Sequence, residues 1–343
     1  MCVMEAPAEL EAPKAPRLAD RAVLAASFAY LACLVVLYAG EQYMGERWWL
    51  TTLAAYAPQL VFAAPLPLVL GWAAVRRHRR AVLVNVAAGG FLVFPVLGFR
   101  VPFGASPPSE APRMRVMIYN VHQAASGVKV IADAIARQNA DVVCLQEVNA
   151  WGRWGDPVAS IHRLLPNGWK VVRDGELVTL SRYPIVESQV HYLPSSTGRA
   201  ILSATLDVRG DRITVLNTHF NVSSGESLTR GRIGVRTYLR DAAKIRLAQK
   251  TRLLEVAGRV REPVVIVGDF NTPPRGLTYC RIAKRYRDAF DAAGWSLGYT
   301  FRSDLPMLRI DHIFVDRRLK VLRCFVPQTR ASDHRPVVAD ISL

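Results

Sequence analysis

The stretch VVIVGDFNT at residues 264–272 gives the first indication of how this chain folds. Its four leading residues are apolar and β-branched, which predicts a buried strand. Directly after them come Gly268, Asp269 and Asn271. A carboxylate and an amide at one strand end are ordinary turn residues when they occur once. Their meaning therefore depends on whether the pattern recurs elsewhere in the chain.

Five other predicted strands also begin or end in polar side chains. The polar residues at the five strand ends are Asn120, Glu147, Thr218 with His219, Asp311 with His312, and Asp333 with His334. Turn or cap chemistry explains each one taken alone. Six strand ends that all present Asn, Asp, Glu or His indicate a single site, assembled where the strands end.

Short apolar runs alternate with amphipathic stretches from residue 113 to residue 343. The runs predict strands at residues 114–119, 142–146, 177–180, 201–208, 212–217, 264–267, 310–315, 321–326 and 337–341. The amphipathic stretches predict helices at residues 128–138, 158–164 and about 232–260. Many strands with few helices predict an α/β fold, in which two packed sheets carry helices on their outer faces.

The side chains at these strand ends limit the chemistry. Carboxylate oxygens bind hard cations such as Mg²⁺, and a bound Mg²⁺ polarises a phosphoryl oxygen. Histidine beside a carboxylate acts as an acid, a base or a phosphate-binding cation. Asparagine can donate a hydrogen bond to a phosphoryl oxygen. The sequence has no GxSxG, HExxH or GxxxxGK[ST] motif, so serine-hydrolase, zincin and P-loop chemistry lack their essential residues.

Seven segments carry a resemblance to a known family. They are Tyr-Asn-Val at 119–121, Leu-Gln-Glu-Val at 145–148, Leu-Ser-Arg-Tyr-Pro-Ile at 180–185, Asn-Thr-His-Phe at 217–220, Gly-Asp-Phe-Asn-Thr at 268–272, Arg-Ile-Asp-His-Ile-Phe at 309–314 and Ser-Asp-His-Arg-Pro at 332–336. In this order they resemble the endonuclease/exonuclease/phosphatase superfamily. The resemblance implies a DNase I-like, four-layer α/β sandwich that hydrolyses phosphoric ester bonds with Mg²⁺, or with Mn²⁺ as the alternative.

The resemblance also implies metal ligands. Glu147 is expected to be the principal ligand, with Asn120 and Asp333 close to the metal or to its waters. The implied reaction is in-line attack of water on phosphorus, without a covalent enzyme intermediate.

Catalytic roles follow from the same resemblance. Asp269 would orient or deprotonate the attacking water, and Asn271 would hold the phosphate. His334, polarised by Asp311, would bind the phosphate or act as an acid or base. His219 would contact the phosphoryl group from the opposite side. Whether Asp269 or His334 is the base remains open.

Two features bear on the substrate. Arg199 and Arg182 are candidates for holding a phosphate, with ordinary surface arginines as the alternative. At residues 218–220 the chain has Thr-His-Phe, where relatives that repair abasic DNA usually carry Tyr within Tyr-x-Pro-Asn. Thr-His is similar to the sphingomyelinase, inositol-phosphatase and deadenylase branches, which argues against abasic-site repair.

Three uncharged stretches, at residues 22–40, 48–75 and 81–99, precede this region. A helix needs about 20 apolar residues to cross a bilayer, so three transmembrane helices are predicted over residues 22–100, after a cytoplasmic tail at 1–21. The basic cluster at 76–80 keeps the second connection in the cytoplasm. Residues 101–112 are then a Pro-rich linker, and 113–343 form an extracytoplasmic catalytic domain of a multi-pass protein of the cell membrane.

Membrane spans followed by such a domain are similar to the VanJ-type glycopeptide-resistance proteins. The sequence therefore predicts a membrane-anchored phosphoesterase that hydrolyses a phosphate ester or pyrophosphate of a lipid-linked or cell-envelope substrate in the lipid bilayer. The alternative is an extracytoplasmic nuclease acting on nucleic acid, because residues 113–343 hold 35 of the 44 Lys and Arg residues but only 21 of the 28 Asp and Glu. No protein partner is implied.

Overall fold

A computed structural model describes residues 18–102, 113–148, 155–195, 197–221 and 234–343. Most of the predicted cytoplasmic tail, and all but two residues of the predicted linker, lie outside these ranges. The first strand begins at Arg113.

Two six-stranded sheets form the region after residue 112. The strands are β1 (Arg113–Asn120), β2 (Val142–Gln146), β3 (Lys170–Asp174), β4 (Leu177–Ser181), β5 (Ile185–Tyr192), β6 (Ala200–Val208), β7 (Asp211–His219), β8 (Val264–Asp269), β9 (Arg287–Asp288), β10 (Asp311–Val315), β11 (Lys320–Phe325) and β12 (Val337–Ser342). The first sheet has the order β11-β12-β1-β2-β4-β3, and the second has the order β5-β6-β7-β8-β10-β9.

Helices cover the outer face of each sheet. The helices of the described residues are α1 (Leu18–Ala39), α2 (Trp49–Tyr56), α3 (Pro65–Val75), α4 (Arg79–Phe91), α5 (Val128–Ala136), α6 (Pro157–Leu164), α7 (Val235–Arg259), α8 (Gly276–Arg285) and α9 (Ala289–Ala293). Apolar side chains of α5 and α6 pack on the first sheet, and those of α7 and α8 pack on the second. A third apolar cluster, with Val116 and Val265 among its members, lies between the sheets. The predicted two-sheet α/β sandwich is therefore confirmed.

The strand directions bring the polar strand ends to one edge of the sandwich. β1 pairs in parallel with β2, and β7 with β8, so the carboxyl ends of all four meet at this edge. β12 runs antiparallel to β1, and β10 runs antiparallel to β8, with Asp311 opposite Asp269. The amino ends of β10 and β12 therefore reach the same edge.

Two helical stretches of the described residues are long and apolar enough to cross a membrane, namely Leu18–Arg47 and Arg79–Val96. The second predicted span differs from the expectation of a continuous helix. It is broken between Trp49–Tyr56 and Gln59–Val75, which meet at 92°, so a third crossing exists only if this bent pair counts as one span. The break falls at Pro58, because proline lacks a backbone N–H and disfavours helical geometry in the residue before it.

The helices of residues 18–102, called the anchor after the role predicted from the sequence, contact the sandwich at one end. Hydrogen bonds and ion pairs join Glu46 to the backbone amides of Leu277 and Thr278, Tyr56 to Thr272, and Arg100 to Asp291. The basic cluster at 76–80 lies at the other end, where Arg76 pairs with Asp20 at 2.8 Å. The sandwich therefore packs against the end of the anchor opposite that cluster.

Several elements have no counterpart among the sequence predictions. β3 and β5 lie at the sheet edges, where exposed polar residues hide the apolar pattern of a strand. The short β9, with helices α8 and α9, was also absent from the predictions. The amino terminus of α8 has no capping side chain nearby in sequence. Glu46 of the anchor accepts hydrogen bonds there from the amides of Leu277 and Thr278, at 2.5 and 3.2 Å, and a tertiary cap of this kind leaves no local signal.

A buried ionic cluster holds the carboxyl-terminal strands together. Asp288 accepts hydrogen bonds from Arg309 at 3.0 and 3.1 Å and from the hydroxyl of Tyr279 at 2.9 Å. It also accepts hydrogen bonds from two backbone amides at the start of α9. Burial alone would raise the pKa of Asp288, but the charge of Arg309 and the hydrogen bond with His312 outweigh burial and lower it. Asp288 is thus ionised, and its removal would leave Arg309 with fewer partners in the core.

We expect Asp288→Asn to lower the free energy of unfolding by about 3–5 kcal/mol, because it removes one partner of a buried ion pair. Denaturant unfolding monitored by tryptophan fluorescence measures this change. Asp304→Asn is the matched control, since Asp304 pairs with Arg302 on the surface. The control should leave the unfolding midpoint unchanged, and equal losses in both variants would contradict the role given to the cluster.

Candidate active site

The site depends on an unusually close approach of β7 and β8. Gly268 has a φ of +153°, and a Cβ atom there would lie 1.9 Å from the carbonyl oxygen of Thr218. Only glycine fits at this point. The pairing places His219 directly opposite Asp269, so two predicted site residues become neighbours.

The amide of Asn120 lies between two carboxylates. Its Nδ2 atom donates to Glu147 Oε1 at 2.9 Å and to Asp269 Oδ2 at 3.0 Å. Asn120 and Asp269 are buried, whereas the Glu147 side chain is 22% exposed. Glu147 has a φ of +57°, a strained conformation for a residue with a side chain. Two carboxylates that share one amide favour a cation between them, because like charges in a buried site repel each other.

His219 and Asn271 complete this side of the site. His219 is fully buried, and its Nε2 atom lies 3.5 Å from Asp269 and 3.8 Å from Glu147. Asn271 Nδ2 lies 3.3 Å from His219 Nε2 and donates to the Phe220 carbonyl at 3.0 Å. The backbone amide of Asn271 donates to Asp269 Oδ1 at 2.8 Å, which fixes that carboxylate.

His334 precedes β12 of the first sheet and approaches Asp269, at the end of β8 in the second sheet. Its Nδ1 atom lies 2.9 Å from Asp311 Oδ2, and its Nε2 atom lies 3.7 Å from Asp269 Oδ2. Burial lowers the pKa of His334, but the charges of Asp311 and Asp269 outweigh burial and raise that pKa to about 10. His334 therefore carries a proton at neutral pH. Asp311 Oδ1 is buried without a hydrogen-bond partner among the described residues.

Asp333 lies at the rim of the site. Its side chain is 38% exposed, and its Oδ1 atom lies 3.2 Å from the Ser332 hydroxyl and 3.5 Å from His122 Nδ1. Ser332 also donates to the Asn120 carbonyl at 2.8 Å, which joins the loop before β12 to the end of β1.

Glu176 belongs to this site although the sequence analysis did not identify it. Its carboxylate lies 3.2 Å from His219 Nδ1 and accepts a short hydrogen bond from Arg199. Burial raises the pKa of Glu176, but the hydrogen bond and charge of His219 and the charge of Arg199 outweigh burial and lower it. Glu176 lies in the turn between β3 and β4. A Glu next to a turn glycine is ordinary in sequence, so nothing there indicates a functional role.

The two arginine candidates have different positions. Arg199 lies beside His219, at 2.6 Å between Arg199 Nη1 and Nδ1. Arg182 follows β4, whose antiparallel pairing with β2 carries it to the opposite edge of the sheet, beside Asp141. There its guanidinium lies over the Trp169 ring, 5.1 Å from the ring centre. Arg182 is therefore not among the side chains of this site, which corrects the expectation from sequence.

Two overlapping groups of side chains in the described residues can hold a metal ion. One group is Glu147, His219 and Asp269, and the other is Asp269, Asp311 and His334. The first group offers two carboxylates, which are oxygen ligands of the kind that Mg²⁺ prefers. The second contains protonated His334, whose positive charge disfavours a cation there. The first group fits a divalent cation better.

Comparison with known proteins gives a family and a set of relatives. A sequence profile of the endonuclease/exonuclease/phosphatase family matches residues 117–334. The protein YbhP of Escherichia coli strain K12, described as uncharacterized, is 24% identical over 265 residues, which cover 67% of this chain and 96% of the relative.

Solved structures share the fold. An endonuclease/exonuclease/phosphatase from Beutenbergia cavernae DSM 12333 is 24% identical, with a TM-score of 0.54 over 68% of this chain and 72% of that one. The mannosyl-6-phosphatase Bt3783 of Bacteroides thetaiotaomicron is 19% identical, with a TM-score of 0.52 over 67% of this chain and 100% of that one. Truncated TDP2 of Caenorhabditis elegans is 18% identical, with a TM-score of 0.52 over 67% of this chain and 98% of that one. At these identities the similarity shows the fold alone.

We expect Glu147→Gln to weaken divalent-metal binding by at least about tenfold, because it replaces a charged oxygen ligand with a neutral one. Titration of the full chain with Mn²⁺, followed by electron paramagnetic resonance, measures the affinity. Glu187→Gln, on the exposed face of β5, removes the same charge away from the site and should leave the affinity unchanged. Equal Mn²⁺ affinity in the Glu147 variant and the unsubstituted protein would rule out this metal site.

Proposed function

The chain belongs to the endonuclease/exonuclease/phosphatase family and is a hydrolase of phosphoric ester bonds, and we propose that it is a membrane-anchored, Mg²⁺-dependent phosphoesterase acting on a lipid-linked or cell-envelope phosphate. The observation that carries the proposal is the contact between Tyr56 of the anchor and Thr272, at 3.2 Å between their hydroxyl oxygens. Thr272 is the neighbour in sequence of Asn271. The site thus lies beside the anchor, within reach of a substrate held in the same membrane.

The chain's own residues supply a base, an acid and phosphate contacts. Asp269 is the base in this proposal, since it is buried, oriented by the Asn271 amide and lies between Asn120 and His334. The raised pKa of His334 supports a role as proton donor or phosphate-binding cation rather than base. Asn271 and His219 would contact the phosphoryl oxygens on the other side of the site.

Glu147 would hold Mg²⁺, with Asn120 and Asp269 beside Glu147 and Asp333 at the rim of the site. When bound, the ion neutralises developing charge on the phosphoryl oxygens. Mn²⁺, which also accepts oxygen ligands, is the alternative. Arg199 adds positive charge next to His219, and Glu176 orients both side chains.

The surroundings of the site support a lipid-linked substrate. After Tyr56 the chain continues through a short apolar segment, Gln59–Ala63, in which the side chains of Leu60 and Val61 are 46% and 56% exposed. Apolar side chains exposed in a bilayer contact lipid without cost. A substrate in the same bilayer reaches the site at a raised effective concentration. Together these features favour a substrate that carries its phosphate on a lipid.

The packing of anchor and sandwich also supports the proposed topology. The basic cluster at 76–80, which is expected in the cytoplasm, lies at the end of the anchor away from the sandwich. The catalytic region is then extracytoplasmic, and residues 1–21 are cytoplasmic. Nucleic acid stays the alternative substrate because of the excess positive charge of residues 113–343, to which the exposed Arg236 and Arg240 of α7 contribute.

A substrate panel tests the proposal with the full chain in detergent. We expect Mg²⁺-dependent hydrolysis of a prenyl pyrophosphate, read as released phosphate, or of a phospholipid, read as the separated headgroup and lipid products, and much slower cleavage of plasmid DNA. Asp269→Asn should lower kcat by about 10²–10⁴-fold, the usual effect of losing a general base.

Glu187→Gln serves as the control and should retain full activity. Cleavage of DNA alone would replace the lipid proposal with the nuclease alternative. Activity that survives both Asp269→Asn and chelation of divalent metal would sink the mechanism.

Glu176 should behave as a positioning residue. We expect Glu176→Gln to lower kcat about 10- to 100-fold, as for other residues that orient a metal-site or catalytic side chain, with little change in KM. Asp174→Asn, two residues away at the end of β3, is the control and should change neither parameter. A rise in KM at constant kcat would show instead that Glu176 acts on substrate binding.

A further inference from the structure

A second cavity lies outside the active site, where the anchor meets the outer helices of the second sheet. It has a volume of about 840 Å³, and its lining includes none of the active-site residues. Five basic side chains surround it, namely Arg47 of the anchor, Lys250 of α7, and Arg281, Lys284 and Arg285 of α8 and its end. Glu255 is the one acidic residue in the described lining.

The positive charge of this cavity is not balanced locally. Among the described residues, none of the five basic side chains lies within 4 Å of a carboxylate, and Glu255 pairs with Arg252 outside the lining, at 3.5 Å. Burial lowers the pKa of Lys250, and the charges of Arg281 and Arg285 lower it further against the opposing effect of Glu46. Like charges gathered around one space repel each other, so an anion in the cavity would relieve the repulsion.

The cavity also has an apolar side and lies at the end of a helical stretch that is long and apolar enough to cross a membrane. Leu247, Leu254 and Leu277 contribute partly exposed apolar surface to its lining. Arg47 lies at the sandwich end of the first apolar helical stretch, and the next residue, Trp48, is 45% exposed. Tryptophan at the end of an apolar helix is typical of the bilayer interface. A ligand here therefore meets cations and apolar surface together, at headgroup depth.

We propose that this cavity binds the phosphate headgroup of an anionic phospholipid from the membrane leaflet next to the sandwich. A lipid fits better than a nucleic acid, because the leucines beside the cations offer surface for the first part of an acyl chain. Because the lipid bridges the anchor and α8, it would hold the two parts together. This site is independent of the reaction, and its occupancy can be measured without turnover.

Binding of dioctanoyl-phosphatidylglycerol to the full chain in detergent, measured by isothermal titration, tests the proposal. We expect the triple variant Arg47→Gln/Arg281→Gln/Arg285→Gln to lose at least about tenfold in affinity, since each headgroup contact depends on charge. All three side chains are exposed, so the variant should keep its unfolding midpoint. Lys284→Gln/Arg285→Gln is a milder second variant, expected to show a smaller loss in the same direction.

The control removes the same number of charges from α7 outside the cavity. Arg236→Gln/Arg240→Gln/Lys244→Gln replaces three exposed cations and should change the affinity by less than about twofold. An equal loss of lipid affinity in the control would show that the lipid is attracted to the charge of α7 in general, and would overturn the cavity assignment.

Binding of three further ligands shows whether the cavity recognises a lipid headgroup, free phosphate or nucleic acid. Dioctanoyl-phosphatidylcholine, which has no net charge, should bind at least about tenfold more weakly than the anionic lipid. Inorganic phosphate that binds as tightly as the lipid would make the cavity a site for soluble anions. A short oligodeoxythymidine that displaces the lipid, and whose own binding the cavity variant abolishes, would assign the cavity to nucleic acid. Either result overturns the lipid proposal.

Discussion

The active site depends on a buried polar contact between the two sheets. Gln146 at the end of β2 donates to the side-chain oxygen of Asn217 in β7 at 2.7 Å. Asn217 in turn donates to the carbonyl oxygens of Leu145 and Val178 in the first sheet, at 3.2 and 3.0 Å. All three bonds are buried, and breaking one would leave a polar group without a partner in the core. Glu147 follows Gln146 directly and His219 lies two residues beyond Asn217, so this contact sets how the two halves of the site face each other.

The electrostatic balance of the site follows from that arrangement. Asp269, at the end of β8 in the second sheet, lies next to two groups of the first sheet, Asn120 and His334. Negative charge from Glu147 and Asp311 would repel Asp269 without positive groups nearby. His334, which is protonated because two carboxylates raise its pKa, supplies one of them. On the side facing Glu147, the guanidinium of Arg199 is engaged by Glu176 and His219, which is consistent with a divalent ion balancing the charge of Glu147.

Much of the fold and of the candidate site could be predicted from the sequence, for a physical reason. Strands buried on both faces, such as β8, are continuous apolar runs, and polar residues at their ends stand out. The predictions of a two-sheet sandwich and of the site-forming strands therefore agree with the structure. Three features lacked such a signal. Edge strand β5 is half polar and has no buried residue, Glu176 resembles a turn residue, and the position of Arg182 depends on the antiparallel direction of β4, which no local pattern shows.

The break in the second apolar stretch links the anchor to the chemistry. Because the chain bends by 92° after α2, α2 lies against the sandwich, where the buried Arg246 of α7 is stacked 4.4 Å from the centre of the Tyr56 ring. The hydroxyl of Tyr56 then reaches Thr272, whose carbonyl also contacts His312 at 2.9 Å. The loop that carries Asn271 is thus held from the anchor on one side and from the buried ionic cluster on the other. The bend that makes the second stretch a poor membrane span is what brings the anchor to the active-site loop.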